Sequence, residues 1–108
     1  MLAPQTPFDL STTERNGLAV VAVLGELDCA TAPVLSQMLA DLVEPGRVIL
    51  VDLSDTEFVD CAGIAPLVAA CEQLRKLGGD LILDAPTSPV SRVIERTGLN
   101  KVLTVTSG

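Results

Sequence analysis

Two nearly unbroken apolar runs, Leu18-Ala-Val-Val-Ala-Val-Leu24 and Arg47-Val-Ile-Leu-Val-Asp-Leu53, constrain this chain more than any other feature. Runs this short and this rich in valine read as strands buried on both faces, the pattern of an α/β sheet rather than an open antiparallel one. Between and after them the period changes. Leu35, Met38, Leu39 and Leu42 recur at helical spacing, with Thr31 placed to cap the start. Ile64, Leu67, Val68, Cys71 and Leu74 do the same and stop at Gly78-Gly79. A third helix has Ser88 as its cap, Pro89 in its first turn, Val90, Val93 and Ile94 on its apolar face, and Gly98 as terminator. Leu81–Leu83 and Val102–Val105 are shorter strands. Phe8–Glu14 reads as an edge strand returning through a hairpin turn at Asn16-Gly17. The order β-β-α-β-α-β-α-β predicts one α/β domain over residues 1–108, with its core at about 8–105. Its mixed central sheet has four to five strands with helices packed against it.

Composition narrows what such a domain can do. The chain has 108 residues, 48% of them hydrophobic, enough for one aliphatic core without staples. Its aromatics are Phe8 and Phe58 alone, so stacking on bases or sugars is not expected. A net charge of −7 disfavours nucleic acid and anionic membranes as partners and suits a protein with a basic patch. No apolar run is long enough for membrane insertion, and Met1–Phe8 lacks the charged and apolar regions of a signal peptide. Three cysteines and no histidine argue against a disulfide framework and against zinc. A cytoplasmic chain without metal or cofactor is expected.

Parallel strands joined by right-handed crossovers send Gly25–Cys29 and Ser54–Cys61 out at the same end of the sheet, where α/β sheets bind their ligands. Asp28 and Asp60 then lie on neighbouring loops. Paired carboxylates can do acid–base work or hold Mg²⁺, but each aspartate also just precedes a predicted helix, where it would serve as a cap. Cys61 falls at a helix N-terminus, a setting that can activate a thiol, although no histidine is present to act as its base. A small residue packed under the loop is the plainer reading. Cys29 could approach Cys61 across the two loops, whereas Cys71 lies on an apolar stripe and belongs to the core. Pro66 is irregular. With Cys61 as N-cap it falls inside the helix, so the helix either starts near Gly63 or has a distorted first turn.

Five blocks in order, Gly25-Glu-Leu-Asp28, Val51-Asp-Leu-Ser54, Phe58-Val-Asp-Cys-Ala-Gly-Ile64, Gly78-Gly-Asp-Leu81 and Val93-Ile-Glu-Arg-Thr-Gly-Leu99, resemble a STAS domain, and more narrowly a bacterial anti-anti-sigma factor. The resemblance runs from about Phe8 to Val105. It implies a protein-binding regulator of transcription rather than an enzyme. Such a protein captures an anti-sigma factor, usually a GHKL-type serine kinase, and so frees a sigma factor. The kinase switches the antagonist off by phosphorylating the serine after the motif aspartate, adding roughly −1.5 to −2 charges at the contact surface. Cys61 stands at that serine position and Ala62 follows it, so the hydroxyl is absent. The resemblance places partner contacts at Asp28, Asp60, Cys61, Ala62 and Gly63, and Glu72 and Arg75 can supply rim charges. The alternatives are an antagonist switched by oxidation at Cys61 and a STAS subunit of a transport or lipid-trafficking complex.

Overall fold

The computed structural model describes residues 7–107. Most of Met1–Phe8, and with it the reading on a signal peptide, lies outside the described residues. Strand β1 (Asp9–Arg15) turns at Asn16-Gly17, both at positive φ (54° and 83°), and returns antiparallel as β2 (Leu18–Leu27). There follow α1 (Ala32–Leu42), β3 (Val48–Asp52), β4 (Thr56–Val59), α2 (Cys61–Lys76), β5 (Asp80–Asp84), α3 (Ser88–Thr97), a 3₁₀ turn (Leu99–Lys101) and β6 (Thr104–Thr106). The sheet order is β1-β2-β3-β5-β6, and β4 pairs with the far end of β2. All pairings except β1–β2 are parallel.

The sheet is the expected mixed one, with an added strand. Thr56–Val59, expected within a loop, is a strand, because a register shift between Gly25 and Glu26 lets β2 run on to Leu27 and pair with it. The buried Thr56 hydroxyl secures the junction by donating to the Val23 carbonyl at 2.8 Å.

Each crossover β2-α1-β3, β3-α2-β5 and β5-α3-β6 steps in the same direction along the sheet. Right-handed connection therefore puts all three helices on one face. Ile49, Val51, Leu81 and Leu83 point into that face and are fully buried, together with Leu35 and Leu39 of α1 and Leu67 and Leu74 of α2. Their neighbours Val48, Leu50 and Ile82 point the other way and are half-buried. The expectation that β3 is buried on both faces is corrected accordingly, because among the described residues no helix covers the second face.

The helix ends follow local chemistry. After α2, the Gly79 N–H donates to the Leu74 carbonyl at 2.8 Å and the Gly78 N–H to Arg75 at 3.2 Å, the paired bonds that close a helix C-terminus. Ser88 is the first residue of α3 rather than its cap. Thr87 holds the cap position, and its hydroxyl is drawn away to the Thr56 carbonyl at 2.7 Å.

Candidate functional site

β2 and β4 run parallel and set Leu27 beside Val59. Both strands end there, so Asp28 and Asp60 leave the sheet side by side. The Asp60 N–H donates to the Leu27 carbonyl at 3.1 Å and ties one strand end to the other. The site is thus built on a strand pair where two loops were expected.

The two aspartates do different work. Asp60, in extended conformation (φ −119°, ψ −176°), is the N-cap of α2, and its Oδ1 accepts from the Gly63 N–H at 3.0 Å. Asp28 caps nothing. Its Oδ1 accepts from the N–H groups of Ala30 (2.9 Å) and Thr31 (3.1 Å) and folds the turn ahead of α1. Thr31 occupies the cap position of α1 without capping it. Its hydroxyl donates to the Glu26 carbonyl and accepts from the Asp28 N–H, both at 2.9 Å. Capping by Asp28 and by Thr31 is therefore overturned: the turn N–H groups lie nearer to Asp28 than the helix does, and the Thr31 hydroxyl turns back to the strand. Both carboxylates are engaged by local N–H groups. Among the described residues no group of three or more Asp, Glu, Cys or His side chains is disposed to hold a metal ion.

Cys61 is the first residue of α2, exposed, and not its cap. Ala62 is exposed beside it. Pro66 lies inside the helix, which nonetheless starts at Cys61. Lacking an N–H, Pro66 cannot donate to the Ala62 carbonyl one turn earlier.

Gly63 is buried beneath the surface it was expected to form. A Cβ there would sit 2.7 Å from Leu27 Cγ and 2.9 Å from the Leu27 carbonyl carbon, with the carbonyl oxygen nearer still. Only a glycine lets α2 descend this close onto β2. Its closeness to Leu27 sets where Cys61 and Ala62 sit on the surface.

The structure does not bring Glu72 and Arg75 into this cluster. They lie eleven and fourteen residues along α2 from Cys61, about 16 and 21 Å of helix rise. Glu72 is exposed, while Arg75 donates to Asp80 Oδ1 at 2.9 Å. Burial opposes ionisation of Asp80, but the Leu81 N–H and the Arg75 guanidinium outweigh it and hold this carboxyl below its usual range. Cys71 beside them is core, as expected, and burial pushes its thiol up.

Two features escaped the sequence reading. An open groove of about 360 Å³ runs between α1 and α2, lined by Cys29, Ala32, Pro33 and Ser36 on one side and by Ala62, Ala65, Pro66 and Ala69 on the other. Small residues at helical spacing (62, 65/66, 69) were its only signal. Phe58, on β4 two residues before the Asp60 cap, stands 45% exposed. Its signal in the sequence is that it is one of two aromatic residues in the chain.

The model of the STAS domain family matches residues 9–107. The chain belongs to the STAS family. Among its relatives, the anti-sigma-B factor antagonist of Bacillus subtilis is 30% identical over 81% of this chain and 80% of its own length. That of Staphylococcus aureus is 29% identical over 94% of each. The crystal structure of an anti-sigma factor antagonist from Mycobacterium paratuberculosis superposes with a TM-score of 0.84 at 31% identity, covering 94% of this chain and 87% of that one. This STAS domain has no helix, among the described residues, long and apolar enough to cross a membrane.

Proposed function

We propose that this STAS domain is an antagonist that binds an anti-sigma factor, of the GHKL serine-kinase type, and thereby releases a sigma factor in the cytoplasm. One observation carries the reading. The paired ends of β2 and β4 present Asp28, Cys61 and Ala62 next to an exposed apolar groove, in a chain about 30% identical to proteins named anti-sigma-B factor antagonists. An open groove of small side chains takes an apolar ridge of a partner, and the exposed Phe58, two residues before the Asp60 cap, adds an aromatic anchor of the kind that dominates binding energy. Asp28 and the exposed Glu26 make an acidic rim, which favours a basic complement and speeds encounter. Glu72 and Arg75, about 16 and 21 Å of helix rise from Cys61, act at the rim of the contact rather than at its centre.

Recognition, not catalysis, is the chemistry of this surface. Cys61 stands where the family's phosphoserine would be and offers the kinase no hydroxyl. Ala62 offers none either. The complex is therefore insensitive to ATP at this position. Titration of the chain into a GHKL-type anti-sigma factor by calorimetry tests the surface. Cys61→Glu introduces a charge at the contact and is expected to weaken binding tenfold or more, while Glu72→Ala changes it less than twofold. Unchanged affinity for Cys61→Glu would put the surface elsewhere.

A further inference from the structure

Cys29 and Cys61 are both exposed and both free, and they flank the same contact surface. The strand pair brings together the segments that carry them. Leu27 and Val59 are partners in the parallel β2–β4 ladder, so their Cα atoms are about 4.8 Å apart. Each cysteine follows its partner residue by two positions. The bond from the Asp60 N–H to the Leu27 carbonyl, 3.1 Å, keeps the two strand ends together one residue before Cys61. Cys29 lines the groove opposite Ala62, the neighbour of Cys61. A disulfide needs Cα atoms within about 7 Å, so the bridge requires the Asp28–Thr31 turn, held by the Ala30 and Thr31 N–H groups on Asp28 Oδ1, to yield toward Cys61.

We propose that Cys29 and Cys61 form a reversible disulfide when the chain meets a hydroperoxide, closing the end of the groove. One thiol sulfur attacks the peroxide oxygen, giving a sulfenic acid and one alcohol or water. The second thiol displaces hydroxide from that sulfur, forming the S–S bond and releasing water. Two thiols are oxidised and one peroxide is reduced, and a dithiol reductant reverses the change. The bridge would fasten the β2–α1 turn to the first residue of α2, where the proposed partner docks. The inference rests on that docking reading for its consequence but not for its chemistry. Cys71 is an internal control: it is buried, its thiol is pushed up by burial, and about 15 Å of helix rise separates it from Cys61.

The test is intact mass and non-reducing peptide mapping of the full chain after stoichiometric hydrogen peroxide. The expected product has lost two hydrogens, carries a 29–61 cross-link, leaves Cys71 unmodified and reverts with dithiothreitol. Cys29→Ser and Cys61→Ser each abolish the cross-link. Both thiols remaining free, stepwise oxygen addition without cross-linking, or bridges only between molecules would overturn the proposal. Calorimetry with a GHKL-type anti-sigma factor then separates the two readings. A reduced chain that binds but never cross-links refutes the disulfide alone, whereas a chain that cross-links but binds in neither state refutes the docking reading alone.

Discussion

Gly63→Ala probes the contact that positions the whole site. The added methyl would lie 2.7 Å from Leu27 Cγ and 2.9 Å from the Leu27 carbonyl carbon. Leu27 is fully buried and its carbonyl accepts the Asp60 N–H, so neither side chain nor backbone can yield without cost. Forcing a methyl into a packed contact costs about 1–3 kcal/mol. Replacing a helical glycine by alanine returns at most about 1 kcal/mol. Because the nearest contacts are backbone, the upper part of that cost, about 2–3 kcal/mol, applies and the net expectation is a loss of about 1–2 kcal/mol. With a urea slope of about 2 kcal/mol per molar, that moves the unfolding midpoint down by about 0.5–1 M. Lifting the first turn of α2 off β2 also displaces Cys61 and Ala62, so affinity for an anti-sigma factor should fall even well below the denaturation midpoint. Urea titration followed by circular dichroism gives the first number and calorimetry the second. A Gly63→Ala chain as stable as wild type would refute the close approach of α2 and β2 and the placement of the site with it.

Four further outcomes follow from the same geometry. Asp60→Ala removes the cap of α2 and should cost about 1 kcal/mol in urea titrations, whereas Asp28→Ala, which loses only turn bonds, should cost less. Pro66→Ala restores the helical donor to the Ala62 carbonyl and should raise the thermal midpoint, with about 3 kcal/mol as the ceiling, while weakening partner binding because the ring leaves the groove wall. Phe58→Ala should cost only about 1 kcal/mol of stability in urea titrations, since about half of the side chain is buried, and reduce partner affinity at least tenfold by calorimetry. Asp80, whose carboxyl is held low by the Leu81 N–H and Arg75 against the opposing effect of burial, stabilises the fold when ionised. That contribution is complete above the unfolded carboxyl pKa of about 3.9 and disappears as pH falls through the lower folded value. Asp80→Asn should accordingly lower stability at neutral pH and flatten the acid limb of the stability profile, measured by urea midpoints between neutrality and strong acid.

Much of this architecture was legible in the chain because apolar period is a strong signal. The valine runs of β2 and β3, the stripes of α1 and α2, the Asn16-Gly17 turn and the glycine stops all lie where hydrophobic spacing puts them. The site was legible only in part. β4 is four residues long and is a strand only because a bulge at Gly25/Glu26 lets β2 reach it, a long-range condition that no local pattern carries. Asp28 and Asp60 look alike in sequence, both just ahead of a helix. The extra turn residues after Asp28 give its carboxylate nearer N–H groups to bind. Gly63 reads as part of an exposed motif, yet its reason lies underneath, in the Leu27 backbone. Glu72 and Arg75 share a helix with Cys61, and helix rise alone separates them from it.

The central proposal is that this STAS domain docks an anti-sigma factor through the surface around Cys61 without a phosphorylation switch there. The most direct measurement is the affinity of wild type and Cys61→Ser for a GHKL-type anti-sigma kinase, with and without ATP, followed by mass spectrometry of each chain. Wild type should bind equally in both conditions and carry no phosphate. The variant should bind without ATP, lose affinity with it, and carry one phosphate at position 61. Loss of wild-type binding on adding ATP, with phosphate found on this chain, would contradict the account.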